Sequence, residues 1–164
     1  MYIRNAMEAD LKAIVAIYNA SIPGRLATAD LNPVSVESRR DWFYQHSPTS
    51  RPILVMEIER DILGGWLSFQ SFYGRPAYQA TAEISIYVSP AYQRQRVAYK
   101  LIKSAIALSP NLGLTTLVGF IFAHNQPSIK LFELFGFQIW GHLPQVANLD
   151  AIERDLLIMG RKIT

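Results

Sequence analysis

Between Glu83 and Leu108 the spacing of apolar positions changes period. Glu83, Ser85 and Tyr87 alternate with Ile84, Ile86 and Val88, which predicts a strand with two unlike faces. A polar turn follows over Ser89–Arg96, punctuated by Pro90. From Val97 the apolar residues Ala98, Leu101, Ile102, Ala105 and Ile106 fall on one stripe, with Lys100 and Lys103 off it, which predicts a helix. The same patterns organise the rest of the chain. Tyr2–Arg4 reads as a strand, and Glu8–Ala20 as a helix with Leu11, Ile14, Val15 and Tyr18 on one face. Ser21–Pro33 reads as a loop, and Ser35–Gln45 as a second helix capped by Ser35 with Trp42 and Phe43 inward. Pro52–Ile58 and Ile62–Phe72 make a strand pair around the turn Glu59–Asp61, followed by a loop at Gly74–Pro76. Beyond the break at Pro110–Gly113, Thr115–Phe122 is a β-branched and aromatic strand. Asn125 caps a short helix with Pro127 in its first turn and Gly136 past its end. Phe137–Gly141 and Glu153–Gly160 read as closing strands.

Composition narrows the class. The 164 residues are 50% hydrophobic and 12% aromatic, enough for one domain with a proper core and too apolar for disorder. With no cysteine, disulfides, thiolate metal sites and thiol nucleophiles are excluded. The net charge is +3, and no run of Lys or Arg exceeds two, a pattern that does not point to nucleic acid but suits a small anion. No apolar run reaches membrane-spanning length, and acids stand where a signal peptide is apolar; we expect a soluble cytoplasmic protein with no membrane partner. His46, His124 and His142 form no metal-ligand pattern, so no metal site is expected.

A strand running through a tight polar turn into a helix gathers unpaired backbone N–H groups, and the positive end of the helix dipole, at one point. Such a point suits a pyrophosphate. Here Gln93-Arg94-Gln95-Arg96-Val97-Ala98 resembles the Q/R-x-x-G-x-G/A turn of the GNAT superfamily of acyl-CoA-dependent N-acyltransferases, with Arg96 where glycine is usual. Within that superfamily the chain is similar to the phosphinothricin and methionine sulfone (sulfoximine) N-acetyltransferases. The likeness lies in Ile17-Tyr18-Asn19, in TAEISIYV at Thr81–Val88 and in NQPSIKLFELFGF at Asn125–Phe137. The resemblance implies a single GNAT domain over residues 1–164. It also implies a mixed α/β fold (α+β) with a central sheet of about six or seven strands, about four helices and splayed central strands that admit acetyl-CoA. Composition and periodicity alone give only a mixed α/β protein.

The resemblance also implies roles. Acetyl-CoA, the co-substrate, would lie against Ile86, Tyr87 and Val88, against Gln93, Arg94, Gln95, Arg96, Val97, Ala98 and Tyr99, and against Asn125 and Ser128. Glu83 would take a proton from the attacking amine, because only the neutral amine attacks a thioester. The Val88 N–H would polarise the thioester carbonyl. The acceptor would touch Tyr73, Gly74, Arg75, Glu83, Ile84 and Ser85, with Arg75 offering a planar fork to a carboxylate. Each has a plainer structural alternative: an ion-paired Glu83, a solvated Arg75, an Asn125 that only caps. Where many members carry a tyrosine to protonate the leaving thiolate, this chain has Phe132, and Tyr87, Tyr99 or water remain for that role. The expected activity is acetyl transfer to the amine of a small amino acid or analogue, by a homodimer. The alternatives are another amine (polyamine, aminoglycoside, peptide N-terminus) or a non-catalytic acyl-CoA-binding module.

Overall fold

The protein, as a computed structural model, is described over all 164 residues. The strands are β1 (Tyr2–Asn5), β2 (Ile53–Glu59), β3 (Ile62–Ser71), β4 (Thr81–Val88), β5 (Thr116–Phe122), β6 (Gln138–Leu149) and β7 (Ile152–Lys162). All seven join one sheet in the order β1-β2-β3-β4-β5-β7-β6. Every neighbouring pair is antiparallel except β4 with β5, which run parallel. The helices are α1 (Leu11–Ser21), α2 (Arg40–Tyr44), α3 (Val97–Leu108) and α4 (Gln126–Leu134). The expected mixed sheet with four helices is therefore the observed one. No helix is long and apolar enough to cross a membrane.

Alternation along the middle strands gives the sheet two cores. On one face Leu67, Phe69, Ala82 and Ile84 meet Val97, Leu101, Ile102 and Ala105 of α3 and Ile129 and Phe132 of α4. On the other, Val55, Leu63 and Trp66 meet Ile14, Ile17 and Tyr18 of α1, with Trp42 of α2 and Tyr87 of β4 at the margin. Each fully buried aliphatic side chain contributes roughly 1.5–3 kcal/mol. Two of the close approaches that glycine permits seat the helices on the sheet. A Cβ on Gly65 would lie 2.8 Å from the Tyr87 carbonyl and 2.9 Å from a Val97 methyl, so the start of α3 seats directly on β3. A Cβ on Gly119 would lie 2.6 Å from the Phe132 ring, which lets α4 close over β5.

Three expected elements are corrected. The first helix begins as a 3₁₀ turn at Glu8–Asp10 and becomes α-helical at Leu11. The second is shorter than Ser35–Gln45: a 3₁₀ turn at Glu37–Arg39 leads into the five residues of α2, although Ser35 Oγ does accept from the Ser38 amide at 3.1 Å. The closing strands run well past Gly141 and begin before Glu153. They form a long hairpin, turned at Asp150 and Ala151, both at positive φ (54° and 66°), the two-residue geometry that suits the twist of paired strands. Irregularities between Ile139 and Gly141 and between Leu143 and Ala147 break the alternation of β6.

Candidate active site

The two parallel strands of the sheet part company. β4 and β5 pair only at Thr81–Thr116, Ala82–Leu117 and Glu83–Val118. Beyond Glu83, β4 stays with β3 as far as Val88, while β5 stays with β7 as far as Phe122, so a wedge opens between them. The Ser89 amide donates to the Gly64 carbonyl at 2.9 Å. In an antiparallel ladder the adjacent Val88–Gly65 pair is then of the non-hydrogen-bonded kind, and the Val88 N–H points away from β3 into the wedge.

The turn Gln93–Arg96 leads from β4 into α3 at the open end. Arg94 (φ 61°) and Arg96 (φ 62°) are both left-handed, and Arg96 is the residue before the helix. Arg96 thus adopts the conformation that glycine would take more cheaply, at a cost of about 1–2 kcal/mol. Its carbonyl accepts from Lys100 at 3.0 Å, which leaves the N–H groups of Val97, Ala98 and Tyr99 without an intrahelical acceptor. No side chain caps them. Arg94, Gln95 and Arg96 are exposed, and the Arg96 guanidinium lies 5.0 Å from the centre of the Tyr99 ring. A concave row of free donors with two guanidiniums beside it fits a pyrophosphate.

Glu83 is half-buried on the face of β4 that carries Ser85 and Tyr87, directly opposite Gln70 of β3. It takes part in no ion pair and no hydrogen bond; its carboxyl is pushed above the ordinary glutamate range by burial. Beside it a cavity of about 180 Å³ lies between the sheet and the α1–α2 layer. Its floor is Trp66, Ser68 and Gln70 of β3 with Ser85 and Tyr87 of β4, and its roof includes Tyr18, Trp42 and Arg39. Tyr18 donates to Asp30 and shares a 2.6 Å hydrogen bond with Thr28, which ties the segment after α1 to the roof. Asn19 holds the same segment by two 2.9 Å hydrogen bonds to the Val34 backbone. Burial first, then the neighbouring Tyr18, pushes the Tyr87 hydroxyl well above the usual tyrosine range.

Asn125 caps α4, accepting from the Ser128 amide at 3.3 Å, and donates to the Leu26 carbonyl at 3.2 Å. His124 Nε2–H donates to the Arg25 carbonyl at 2.8 Å, so the end of β5 and the segment after α1 meet at the mouth of the wedge. Phe132 is core, its ring 4.8 Å from Phe137. The Tyr99 ring packs 4.9 Å from that of Phe135, and Tyr87 lies at the margin of the second core, in the cavity wall. Tyr73, Gly74 and Arg75 form an exposed loop at the paired end of the wedge, outside the cavity wall. Ile84, Ile86 and Val88 face the α3 side of the sheet. No three His, Asp or Glu residues converge as a metal site. Of the residues around the cavity, Tyr18, Arg39, Trp42, Trp66, Ser68 and Gln70 were not apparent as site residues from motifs. The period of β3 places Trp66, Ser68 and Gln70 on one face, and that was the available signal.

Comparison with known proteins agrees with this geometry. Residues 13–137 match the model of the Acetyltransferase (GNAT) family. The chain is 47% identical over 164 residues to YwnH of Bacillus subtilis (strain 168), with 100% of both chains covered; that protein's name assigns it phosphinothricin acetyltransferase activity provisionally. It is 32% identical over 146 residues to the L-methionine sulfoximine/L-methionine sulfone acetyltransferase of Salmonella typhimurium, covering 89% of this chain and 85% of that one. Its fold matches a phosphinothricin acetyltransferase from Sinorhizobium meliloti solved in complex with AcCoA, with a TM-score of 0.92 and 26% identity over 99% of this chain and 88% of that one.

Proposed function

The chain belongs to the acetyltransferase (GNAT) family, the acyl-CoA N-acyltransferases, and from that premise we propose that it acetylates the amine of a small amino acid or amino-acid analogue of the phosphinothricin or methionine sulfoximine kind. Acetyl-CoA, when bound, supplies the acetyl group as a thioester. Its pyrophosphate is held by the N–H groups of Arg94–Tyr99, where the free first turn of α3 fits it. The pantetheine arm follows Ile86–Val88, Asn125 and Ser128. The Val88 N–H, directed into the wedge, would stabilise the oxyanion that develops on the thioester oxygen when the amine adds to the carbonyl carbon. Glu83 accepts the proton of the acceptor's ammonium, directly or through water, so that the free amine attacks. The adduct would collapse by cleavage of its C–S bond, and the leaving thiolate, with a pKa of about 8–9, would take up the proton that the new amide nitrogen sheds. A general acid is therefore less needed than for an alkoxide, in keeping with Phe132 on α4. The reaction is assigned to one domain over residues 1–164, in a homodimer, with Tyr73-Gly74-Arg75 at the rim of the acceptor site.

One observation carries this reading: an unpaired, half-buried carboxylate stands where the wedge between β4 and β5 begins, next to the cavity on the α1–α2 face. A buried charge without a partner is costly unless it is used. The test is thiol release from acetyl-CoA with methionine sulfoximine, phosphinothricin and a polyamine as acceptors, beside thermal shifts with CoA alone. At a hundredfold its dissociation constant, CoA should raise stability by roughly 2.7 kcal/mol. Absence of any shift at millimolar CoA overturns the cofactor assignment. A shift without turnover on any amine leaves an acyl-CoA-binding module.

A further inference from the structure

Two features of the cavity have no role in the chemistry so far. Ser68 is 1% exposed, lines the cavity, and its hydroxyl has no hydrogen-bond partner. A buried hydroxyl left unpaired is costly, so one in the wall of a cavity that also carries Arg39, Gln70 and Ser85 marks a place for a ligand's polar group. Opposite it, Arg39 brings the only cationic side chain into the wall. Its guanidinium lies 4.7 Å from the Tyr18 ring centre and 5.7 Å from that of Trp42, and of its five donors only Nη2 is engaged, to Asp30 at 3.3 Å.

We propose that Arg39, together with the Ser68 hydroxyl, holds the carboxylate of the acceptor. This rests on the acetyltransferase reading and deepens it: it names the group that selects amino acids over simple amines. The layout follows from strand register. Gln70 faces Glu83, and two residues along the same face Ser68 faces Ser85. Glu83 and Ser68 are therefore diagonal neighbours, about 7–8 Å apart at the backbone, a span that an amino acid hydrogen-bonded at both ends bridges. The ammonium meets Glu83, and the carboxylate meets Ser68 from the floor and Arg39 from the roof. The two aromatic rings hold the guanidinium plane in place, which a bidentate carboxylate contact requires. Asp30 balances the charge in the empty site and leaves Nε and Nη1 for the ligand. Arg75, exposed on its loop, is the competing grip, and the two arginines are separable by experiment.

The experiment measures kcat/KM for L-methionine sulfone and for its carboxamide with the wild type, Arg39→Lys, Ser68→Ala and Arg75→Lys. Lysine keeps the charge but loses the fork, so Arg39→Lys should lose about ten- to a hundredfold on the acid and only a few-fold on the amide. Ser68→Ala should raise KM for the acid while the melting temperature of the free protein stays the same or rises, because the hydroxyl has no partner to lose. Equal losses of Arg39→Lys on both acceptors overturn the proposal, as does an acid-specific loss confined to Arg75→Lys. A wild type that acetylates neither compound removes the amino-acid acceptor from the proposed function instead. Calorimetry of methionine sulfone with CoA-loaded protein then decides on Arg39 separately: binding weakened by Arg39→Lys supports the grip, and unchanged or absent binding overturns it.

Discussion

At the scale of single residues the site is set by where charge is left without a partner. Glu83 is the clear case, with no cation within ion-pair distance and its carboxyl pushed up by burial. The raised value has a stability consequence whose sign is fixed. Between the unfolded and the folded pKa the native state binds the extra proton, so this group's contribution is full below the unfolded value and is lost as pH rises through the folded one. Glu83→Gln should therefore melt higher than the wild type at pH 7 and no higher at pH 4. Its acetyl transfer should fall by about 10²–10⁴-fold at neutral pH, with the loss shrinking at high pH as free amine becomes abundant. Wild-type turnover of the variant at pH 7 would return Glu83 to a structural role. Glu83 was singled out through the family resemblance, since on the alternation alone it stands in phase with Ser85 and Tyr87 as an ordinary polar position of the strand. Arg39 was not, since beside Arg40 it looks like part of a solvated helix, and only the fold sets its guanidinium against Tyr18 and Trp42.

At the scale of elements the strand, turn and helix from Glu83 to Leu108 were legible because the period changes twice within it. The left-handed Arg94 and Arg96 were not, for residue type there argues against the conformation adopted. Since the Arg96 backbone already has the glycine geometry, Arg96→Gly changes strain and charge but not the aim of the donors. Relief of strain offsets the loss of the Tyr99 contact and the added freedom of the unfolded chain, so stability should hold or rise by up to about 1 kcal/mol, or 2–4 °C. One exposed charge beside a phosphate is worth up to about 1 kcal/mol, so CoA affinity should drop by up to about fivefold at low salt and match the wild type at high salt. A larger loss that persists at high salt would show that the Arg96 side chain shapes the turn itself. The β6–β7 hairpin escaped sequence reading for a related reason. Its turn uses Asp150-Ala151 rather than a glycine pair, and the irregularities of β6 hide its alternation.

At the scale of the whole molecule, the pattern of strands and helices was legible, and the mixed sheet with its splayed central strands followed from family resemblance rather than periodicity. What no local pattern carries is the pairing of faces: the α3–α4 side closes over Gly65 and Gly119, while the α1–α2 side leaves the cavity. One face of the molecule also lacks a cover. β6 is the edge of the sheet, paired only with β7, and it exposes Ile139 (52%), Trp140 (46%), Leu143 (40%) and Val146 (57%). A long apolar edge strand invites another chain, and natural proteins cover it or charge it. No Asp, Glu, Lys or Arg stands between Ile139 and Val146. A twofold contact of this edge with its copy is the commonest way to bury such a strip, and about 800 Å² per partner makes a specific interface. Sedimentation at micromolar concentration should therefore give twice the 18.5 kDa chain mass, and the double variant Leu143→Lys, Val146→Lys should give the chain mass while keeping the thermal shift with CoA. A wild type that sediments only at 18.5 kDa, or a double variant that remains dimeric, would place the interface elsewhere or remove it.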